Sequence, residues 1–113
     1  MLSKILLVLL ILVVGPVMAT EGENHQYVIE RSIPDAGKLS ADELRDISRK
    51  SRDVLEALGP KIQWIQSYVV EDKVYCVYTA PNEEMIREHA EMGGFPADKI
   101  SRVSRIIDLS TAE

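Results

Sequence analysis

The segment IQWIQSYVVEDKVYCVY, residues 62–78, decides the fold of this 113-residue chain. It contains two runs that are typical of β-strands, and the polar pair Glu71-Asp72 separates them. Two polar residues between such runs indicate a tight turn that joins antiparallel strands. We therefore interpret the segment as a central β-hairpin. Because side chains alternate across a strand, a turn at this pair sorts the hairpin into two faces.

The two predicted faces differ in chemistry. One is mostly small and apolar, which suits packing against helices. Its members are Ile65, Ser67, Val69, Val74, Cys76 and Tyr78. The other carries an indole, an amide and two phenols, groups that need hydrogen-bond partners when they are buried. Its members are Trp64, Gln66, Tyr68, Tyr75, Val77 and Thr79. We expect the functional surface on this second face.

The segment YVIERSI, residues 27–33, predicts a strand before the hairpin, because it alternates and Pro34 follows it. If Tyr27 faces the helices, Glu30 lies on the polar face together with Tyr68. A carboxylate in the middle of a strand needs water or a partner. Glu30 is therefore either a solvated surface residue or part of a site.

Two helices and a last strand complete the pattern. The capping box Ser40-x-x-Glu43 opens the first helix, and Gly59-Pro60 ends it. Asn82 caps the second helix, EEMIREHAEMG, and residues 100–109 supply the last strand. The order βαββαβ predicts an α+β fold, the ferredoxin-like sandwich. In that fold a four-stranded antiparallel sheet carries two helices on one face.

Residues 1–19 are interpreted as a signal peptide. Lys4 precedes an unbroken apolar run from Ile5 to Val14, and Val17-Met18-Ala19 suits a signal peptidase. A retained membrane anchor is the alternative, since a bilayer span needs roughly 20 apolar residues, but Gly15-Pro16 argues against it. We expect a secreted or periplasmic protein without membrane attachment after cleavage.

The expected mature chain starts with a flexible stretch at residues 20–26, followed by one domain at 27–109 and a tail at 110–113. The whole chain has 13 basic and 18 acidic residues and a formal charge of −5. This balance argues against nucleic acid as a partner and is compatible with binding cations.

Cys76 is the single cysteine, so no intramolecular disulfide can form. It is predicted to face the helices, although a three-residue turn would place it on the polar face.

The ferredoxin-like sandwich leaves one sheet face uncovered. The apolar patch expected there consists of Val28, Trp64, Tyr68, Tyr75 and Val77. Such patches usually mark a partner surface. We predict a homodimer in which two open sheet faces pack together and enclose a cavity. Glu30 and Gln66 would lie in or around this cavity, which Trp64 and Tyr75 would help to line.

Four short segments of the sequence together identify a protein family better than any one motif does. They are QWIQSYV, KVYCVYTAP, IREHA and GFPADKI. From about residue 27 to residue 108, the chain is similar to a family of small bacterial domains of unknown function. The named representative of that family is a nickel-binding protein. The resemblance implies a ferredoxin-like dimer that binds nickel.

The resemblance also suggests ligands for the metal. Nickel is bound by imidazole nitrogen together with carboxylate, carbonyl or water oxygen. His89, within IREHA, is the first candidate ligand, followed by Glu30 and Tyr68. Gln66 stands at a position where the family commonly has histidine, and glutamine is a poor nickel donor.

Three classes of function follow. The first is an exported, non-catalytic, nickel-type metal-binding protein that acts in metal sequestration or stress response. The second is a dimeric α+β barrel enzyme or binder that acts on a small organic molecule in the cavity between subunits. The third is an oligomerisation or stress-response module without a ligand. The sequence has no Ser-His-Asp set, HExxH motif, cysteine pair or phosphate loop, which argues against an enzyme.

Overall fold

A four-stranded antiparallel sheet with the strand order β2-β3-β1-β4 organises the protein. The computed structural model describes residues 23–113, so the predicted signal peptide lies outside the described residues. The strands are β1 (His25–Ser32), β2 (Gln63–Val69), β3 (Lys73–Ala80) and β4 (Lys99–Arg102). The helices are α1 (Ala41–Leu58) and α2 (Glu83–Gly93), with short 3-10 turns at Ala36–Lys38 and Leu109–Ala112. The predicted α+β, ferredoxin-like fold is confirmed.

The hydrophobic core lies between the helices and one face of the sheet. Every second residue of β3 is buried, and β1 shows the same alternation from Tyr27 to Arg31. The sheet contributes Tyr27, Ile29, Val74, Cys76, Tyr78 and Ala80 to the core, and the helices contribute Val54, Ile86 and Ala90. Full burial of one large aliphatic side chain is worth about 1.5–3 kcal/mol. The prediction that Cys76 faces the helices is confirmed.

The hairpin turn has two residues, as predicted. Val69 pairs with Val74, and the N–H of Val70 donates to the carbonyl of Lys73 at 2.9 Å, which leaves Glu71 and Asp72 as the turn residues. The loop after β1 holds this turn, because the backbone N–H of Gly37 donates to the carbonyl of Glu71 at 3.0 Å. A Cβ at Gly37 would lie 3.1 Å from the carbonyl oxygen of Val70, so the close approach favours glycine.

A β-bulge in β2 changes the predicted pairing beyond the middle of the hairpin. Gln66 lies opposite Val77, as the turn predicts, but Trp64 lies opposite Tyr78, which leaves Ile65 as an extra residue. The bulge turns Trp64 toward the helices, where its ring stacks on Tyr78 with 6.2 Å between centroids. The prediction that Trp64 lines the uncovered face is therefore wrong. Ile65, which was expected beneath the helices, is 52% exposed.

The first and last strands have different bounds from those predicted. β1 begins at His25, so two residues of the stretch predicted to be flexible are paired in the sheet. β4 ends at Arg102, whereas the sequence pattern predicts a strand that reaches Leu109. The N–H of Val103 still donates to the carbonyl of Gln26 at 2.8 Å. Because the two strands are antiparallel, a β4 that reached Leu109 would have to pair with residues before His25, where β1 begins. Such a longer β4 would therefore have no partner strand there.

The predicted helix starts are confirmed. The Ser40 hydroxyl accepts a bond from the N–H of Glu43 at 3.1 Å, and the Glu43 carboxylate accepts from the N–H of Ser40 at 2.9 Å. The side-chain oxygen of Asn82 accepts from the N–H of Met85 at 2.9 Å. Gly59 ends α1 with a φ of 98°, a conformation that favours glycine. Among residues 23–113, no helix has the length and apolar character that a bilayer span requires.

Two isoleucine-to-alanine variants test the position of the core. Ile29 is fully buried and Ile65 is 52% exposed. We expect Ile29→Ala to lower the free energy of unfolding by about 2–5 kcal/mol, because it removes core contacts and leaves a cavity. The Ile65→Ala control should cost less than about 1 kcal/mol. Urea unfolding measures both values, and equal losses would contradict this assignment of core and bulge.

Candidate functional site

Polar side chains form a row across the uncovered face of the sheet. In register, one residue from each strand belongs to this row: Tyr68, Tyr75, Glu30 and Lys99. The neighbouring row consists of Gln66, Val77, Val28 and Ser101. Glu30 lies near the centre of the face because β1 is flanked by β3 and β4. Its carboxylate is 3.7 Å from the ammonium of Lys73.

The uncovered face is rich in oxygen donors. Tyr68 is 53% exposed, and its hydroxyl accepts a hydrogen bond from the Gln66 amide. Tyr75 is half-buried between Tyr68 and Glu30 in the same row. One carboxylate, two phenols and one amide are therefore available on this face of a single chain. Of the indole, the amide and the two phenols that the hairpin was predicted to place there, Gln66, Tyr68 and Tyr75 lie on this face and Trp64 does not.

His89 lies behind the sheet, in the core. Its ring is 1% exposed and packs against the rings of Tyr78 and Phe95, with centroid distances of 4.9 and 5.6 Å. Its Nε2 is 3.1 Å from the hydroxyl oxygen of Ser51, which in turn is 3.0 Å from the hydroxyl of Tyr78. The three side chains form a buried hydrogen-bonded chain between α1, β3 and α2.

Burial keeps this chain of side chains neutral. Loss of solvation, reinforced by the positive charge of Arg31, lowers the pKa of His89 from 6.5 to about 4. Burial likewise raises the pKa of the Tyr78 phenol, against smaller opposing contributions from Ser51 and Arg31. At neutral pH the imidazole is therefore uncharged and the phenol keeps its proton.

The predicted metal ligands occupy two separate places. Glu30 and Tyr68 share the uncovered face, whereas His89 is buried on the helix side of the sheet. Within residues 23–113 no group of three or more His, Cys, Asp or Glu residues is arranged to hold a metal ion. A site built from the predicted ligands is thus incomplete in one chain, and their role as ligands stays a prediction.

Arg31 is the buried polar residue that the sequence analysis missed. It is 3% exposed, its Nε donates to the Cys76 sulfur at 3.2 Å, and its Nη1 donates to the Pro96 carbonyl at 2.6 Å. Its Nη2 is buried and has no hydrogen-bond partner among the described residues. The strand pattern contained the signal, because Arg31 follows Ile29 by two positions and therefore shares its buried face.

A cavity of about 80 Å³ adjoins Arg31 between α1 and the sheet. Its polar lining consists of Arg31, Ser48, Ser51, Ser67, Cys76 and Tyr78. Its apolar lining consists of Ile33, Leu39, Leu44, Ile47, Trp64, Val69, Val74 and Phe95. Arg31 is the one charged residue in this lining.

These features define a small ferredoxin-like domain with an oxygen-rich uncovered sheet face and a separate cavity lined by the buried Arg31. Residues 27–103 match the family described as Nickel responsive protein SCO4226-like. The chain belongs to this family, which confirms the resemblance inferred from the sequence.

A solved structure supports the observed fold. The crystal structure of SCO4226 from Streptomyces coelicolor A3(2) is similar, with a TM-score of 0.63 and 17% sequence identity over 73% of this chain and 99% of that one. At this identity the likeness supports the fold alone. A structural-genomics protein, YJCS, gives a TM-score of 0.42 at 14% identity over 74% of this chain and 100% of its own. No curated protein matches the chain.

The pH dependence of stability tests the buried state of His89. Its pKa is about 4 in the folded protein and 6.5 as the ordinary value. Between these values the unfolded chain binds more protons than the folded one, so acidification weakens the fold. The free energy of unfolding should fall by up to about 1.4 kcal/mol per pH unit from this group and level off below pH 4.

His89→Gln removes this contribution and should narrow the stability difference from the parent protein as the pH falls from 7 to 5. Urea unfolding at several pH values measures that difference. The His25→Gln variant retains His89 and serves as the control. A stability difference between parent and His89→Gln that stays constant over this pH range would contradict the buried neutral imidazole.

Proposed function

We propose that this chain is a small, non-catalytic nickel-binding protein that acts as a homodimer. The observation that carries the proposal is the Glu30 carboxylate at the centre of an uncovered sheet face that also bears phenol and amide oxygens. Membership of a nickel-responsive family supports a metal-related role without catalysis. The acidic balance of the chain is compatible with a cationic ligand.

The chemistry of the uncovered face favours it as the place for nickel. Glu30 supplies a charged oxygen, and Tyr68 and Gln66 supply neutral ones on the same side of the sheet. A divalent first-row metal needs few good ligands of this kind when water fills the remaining positions. His89 is less accessible, because its Nε2 is engaged with Ser51 and nickel would have to open the helix layer to reach it.

A second copy of the chain would complete the metal site. Face-to-face packing of two sheets would bring two Glu30 carboxylates and four phenols into one interface. It would also cover Val28 and Val77, and apolar burial favours association. Glu30 would have to exchange its contact with Lys73, and a partly exposed ion pair of this kind is worth only about 0–1 kcal/mol.

Nickel titration of untagged protein tests this assignment, since a histidine tag would itself bind the metal. We expect Glu30→Gln to weaken nickel uptake at least about ten-fold in calorimetry, a loss of about 1.4 kcal/mol. Nickel should also strengthen the dimer in light scattering, because both copies supply ligands. Glu56→Gln, which removes an exposed carboxylate from α1, should leave uptake unchanged.

The same titration decides the role of His89. Uptake that persists in Glu30→Gln but is lost in His89→Gln would contradict the uncovered face as the site and favour the core histidine. Loss in neither variant would contradict both assignments. Because His89→Gln also changes the core, its folding is checked by urea unfolding before the comparison is made.

We further propose that the protein is exported and sequesters nickel, or acts in a nickel stress response, outside the cytoplasm. The support is the pattern at the start of the chain, where Lys4 precedes an apolar run and Ala19 ends a cleavable segment. Mass spectrometry of the exported protein should find an N-terminus at Thr20. An intact chain in the membrane fraction would contradict cleavage and favour an anchor.

The second candidate is a dimeric enzyme or binder of a small organic molecule. It requires a cavity bounded by Glu30, Gln66 and Tyr68, and these side chains lie on an uncovered face that only a partner could enclose. The observation that favours a small organic ligand lies on the other side of the sheet, at Arg31.

A further inference from the structure

The cavity between α1 and the sheet contains a charge without a counterion in the described protein. Arg31 is 3% exposed and forms no salt bridge within residues 23–113. Its Nε and Nη1 donate to neutral acceptors, the Cys76 sulfur and the Pro96 carbonyl. A buried guanidinium ordinarily pairs with an anion, because removing its charge from water is costly. The guanidinium also lies 5.4 Å from the ring centroid of Phe95 and 6.0 Å from that of Tyr78, and an anion would supply the opposite charge that these neutral groups do not.

Two donors in the cavity lining suit a carboxylate. The Nη2 of Arg31 is buried without a partner, and a planar guanidinium matches the two oxygens of a carboxylate. Ser67 lies opposite Cys76 in the register, and its hydroxyl oxygen accepts a bond from Trp64 at 2.9 Å. Its hydroxyl proton therefore remains available for a second acceptor.

Size and wall chemistry limit the ligand. A volume of about 80 Å³ is about half that of a cavity that holds benzene. Half of the remaining lining residues are aliphatic, including Leu44, Ile47 and Val69. One cation with aliphatic walls suits a monoanion with a short apolar tail better than it suits a phosphate dianion, which needs more donors.

The cavity is accessible where α1 faces β2. Ile47 on α1 and Val69 on β2 both line it, and they are 37% and 41% exposed. A small molecule can therefore enter beside these two side chains while the buried rings of Tyr78 and His89 stay in place. Trp64 forms another part of the wall and is the single tryptophan of the chain.

We propose that this cavity binds a short-chain monocarboxylate of about two to four carbons, a size set by the cavity volume. The carboxylate pairs with the Arg31 guanidinium, which must turn toward the cavity because the protein encloses Nη2 in the ligand-free chain, and the aliphatic tail lies against Leu44 and Ile47. The site is on the opposite side of the sheet from Glu30, so it does not depend on nickel binding.

The fluorescence of Trp64 and calorimetry test the proposal, with sodium propionate as the probe and a chelator present to exclude metals. Propionate should bind saturably. Propionamide has the same size without the charge, and it should bind at least about ten-fold more weakly because it cannot pair with Arg31. Benzoate is larger than the space inside the cavity and should bind more weakly than propionate.

Two variants test separately whether binding requires the charge of Arg31 and the empty volume of the cavity. Arg31→Met removes the guanidinium, and Ser48→Leu fills the cavity while it leaves Arg31 in place. Each should weaken propionate binding at least about ten-fold. Arg49→Met and Ala57→Leu make the same changes at exposed positions of α1 and should leave the affinity unchanged.

Absence of saturable propionate binding, equal affinity for propionamide, or unchanged affinity in Ser48→Leu would overturn the proposal. If Arg31→Met does not fold, Ser48→Leu and the propionamide comparison still decide the outcome. Because the chelator removes nickel from the assay, failure of carboxylate binding leaves the proposed nickel function standing, and failure of nickel binding leaves this cavity unaffected.

Discussion

The pairing of β3 with β1 on one side and β2 on the other is the constraint on which the rest of the structure depends. Its alternation sends Cys76 and Tyr78 into the core and leaves Tyr75 and Val77 on the uncovered face. A shift by one residue would exchange these two sets and break both the aromatic core and the polar row. The two-residue turn holds the register at one end of β2, and the bulge at Ile65 resets it at the other.

This register gives the two sides of the sheet different chemistry. The uncovered side offers Glu30 and phenol oxygens at a surface, where a metal ion can keep part of its water shell. The helix side holds a neutral chain of Tyr78, Ser51 and His89, with Arg31 as its buried charge. Loss of solvation, reinforced by Arg31, lowers the pKa of His89, and Arg31 is also the residue proposed to pair with a carboxylate in the cavity. The proposed metal site and the proposed carboxylate site therefore lie on opposite sides of one sheet.

Local signals predicted most of the fold because they are short in range. The capping box at Ser40 and the turn at Glu71-Asp72 each depend on a few neighbouring residues, and both lie where the sequence indicates. The bulge at Ile65 was missed, since it depends on the stacking of Trp64 on Tyr78, which are distant in sequence. The same limit applies to the site. Strand alternation correctly placed Glu30 and Tyr68 on the same face. The burial of His89 depends on the packing of α2 against the sheet, which the local sequence does not show. Arg31 lies on the buried face of β1 by the same alternation, but a charged residue is not expected there.

Paramagnetic broadening by Ni²⁺ in an amide NMR spectrum tests the central claim, that the two sheet faces have separate roles and that nickel binds the uncovered one. Nickel added in small amounts broadens the signals of nuclei close to it. We expect the amide signals of Glu30, Tyr68 and Tyr75 to broaden first, while those of Ser51 and His89 persist. Early loss of the Ser51 and His89 signals, with the Glu30 signal intact, would contradict the claim.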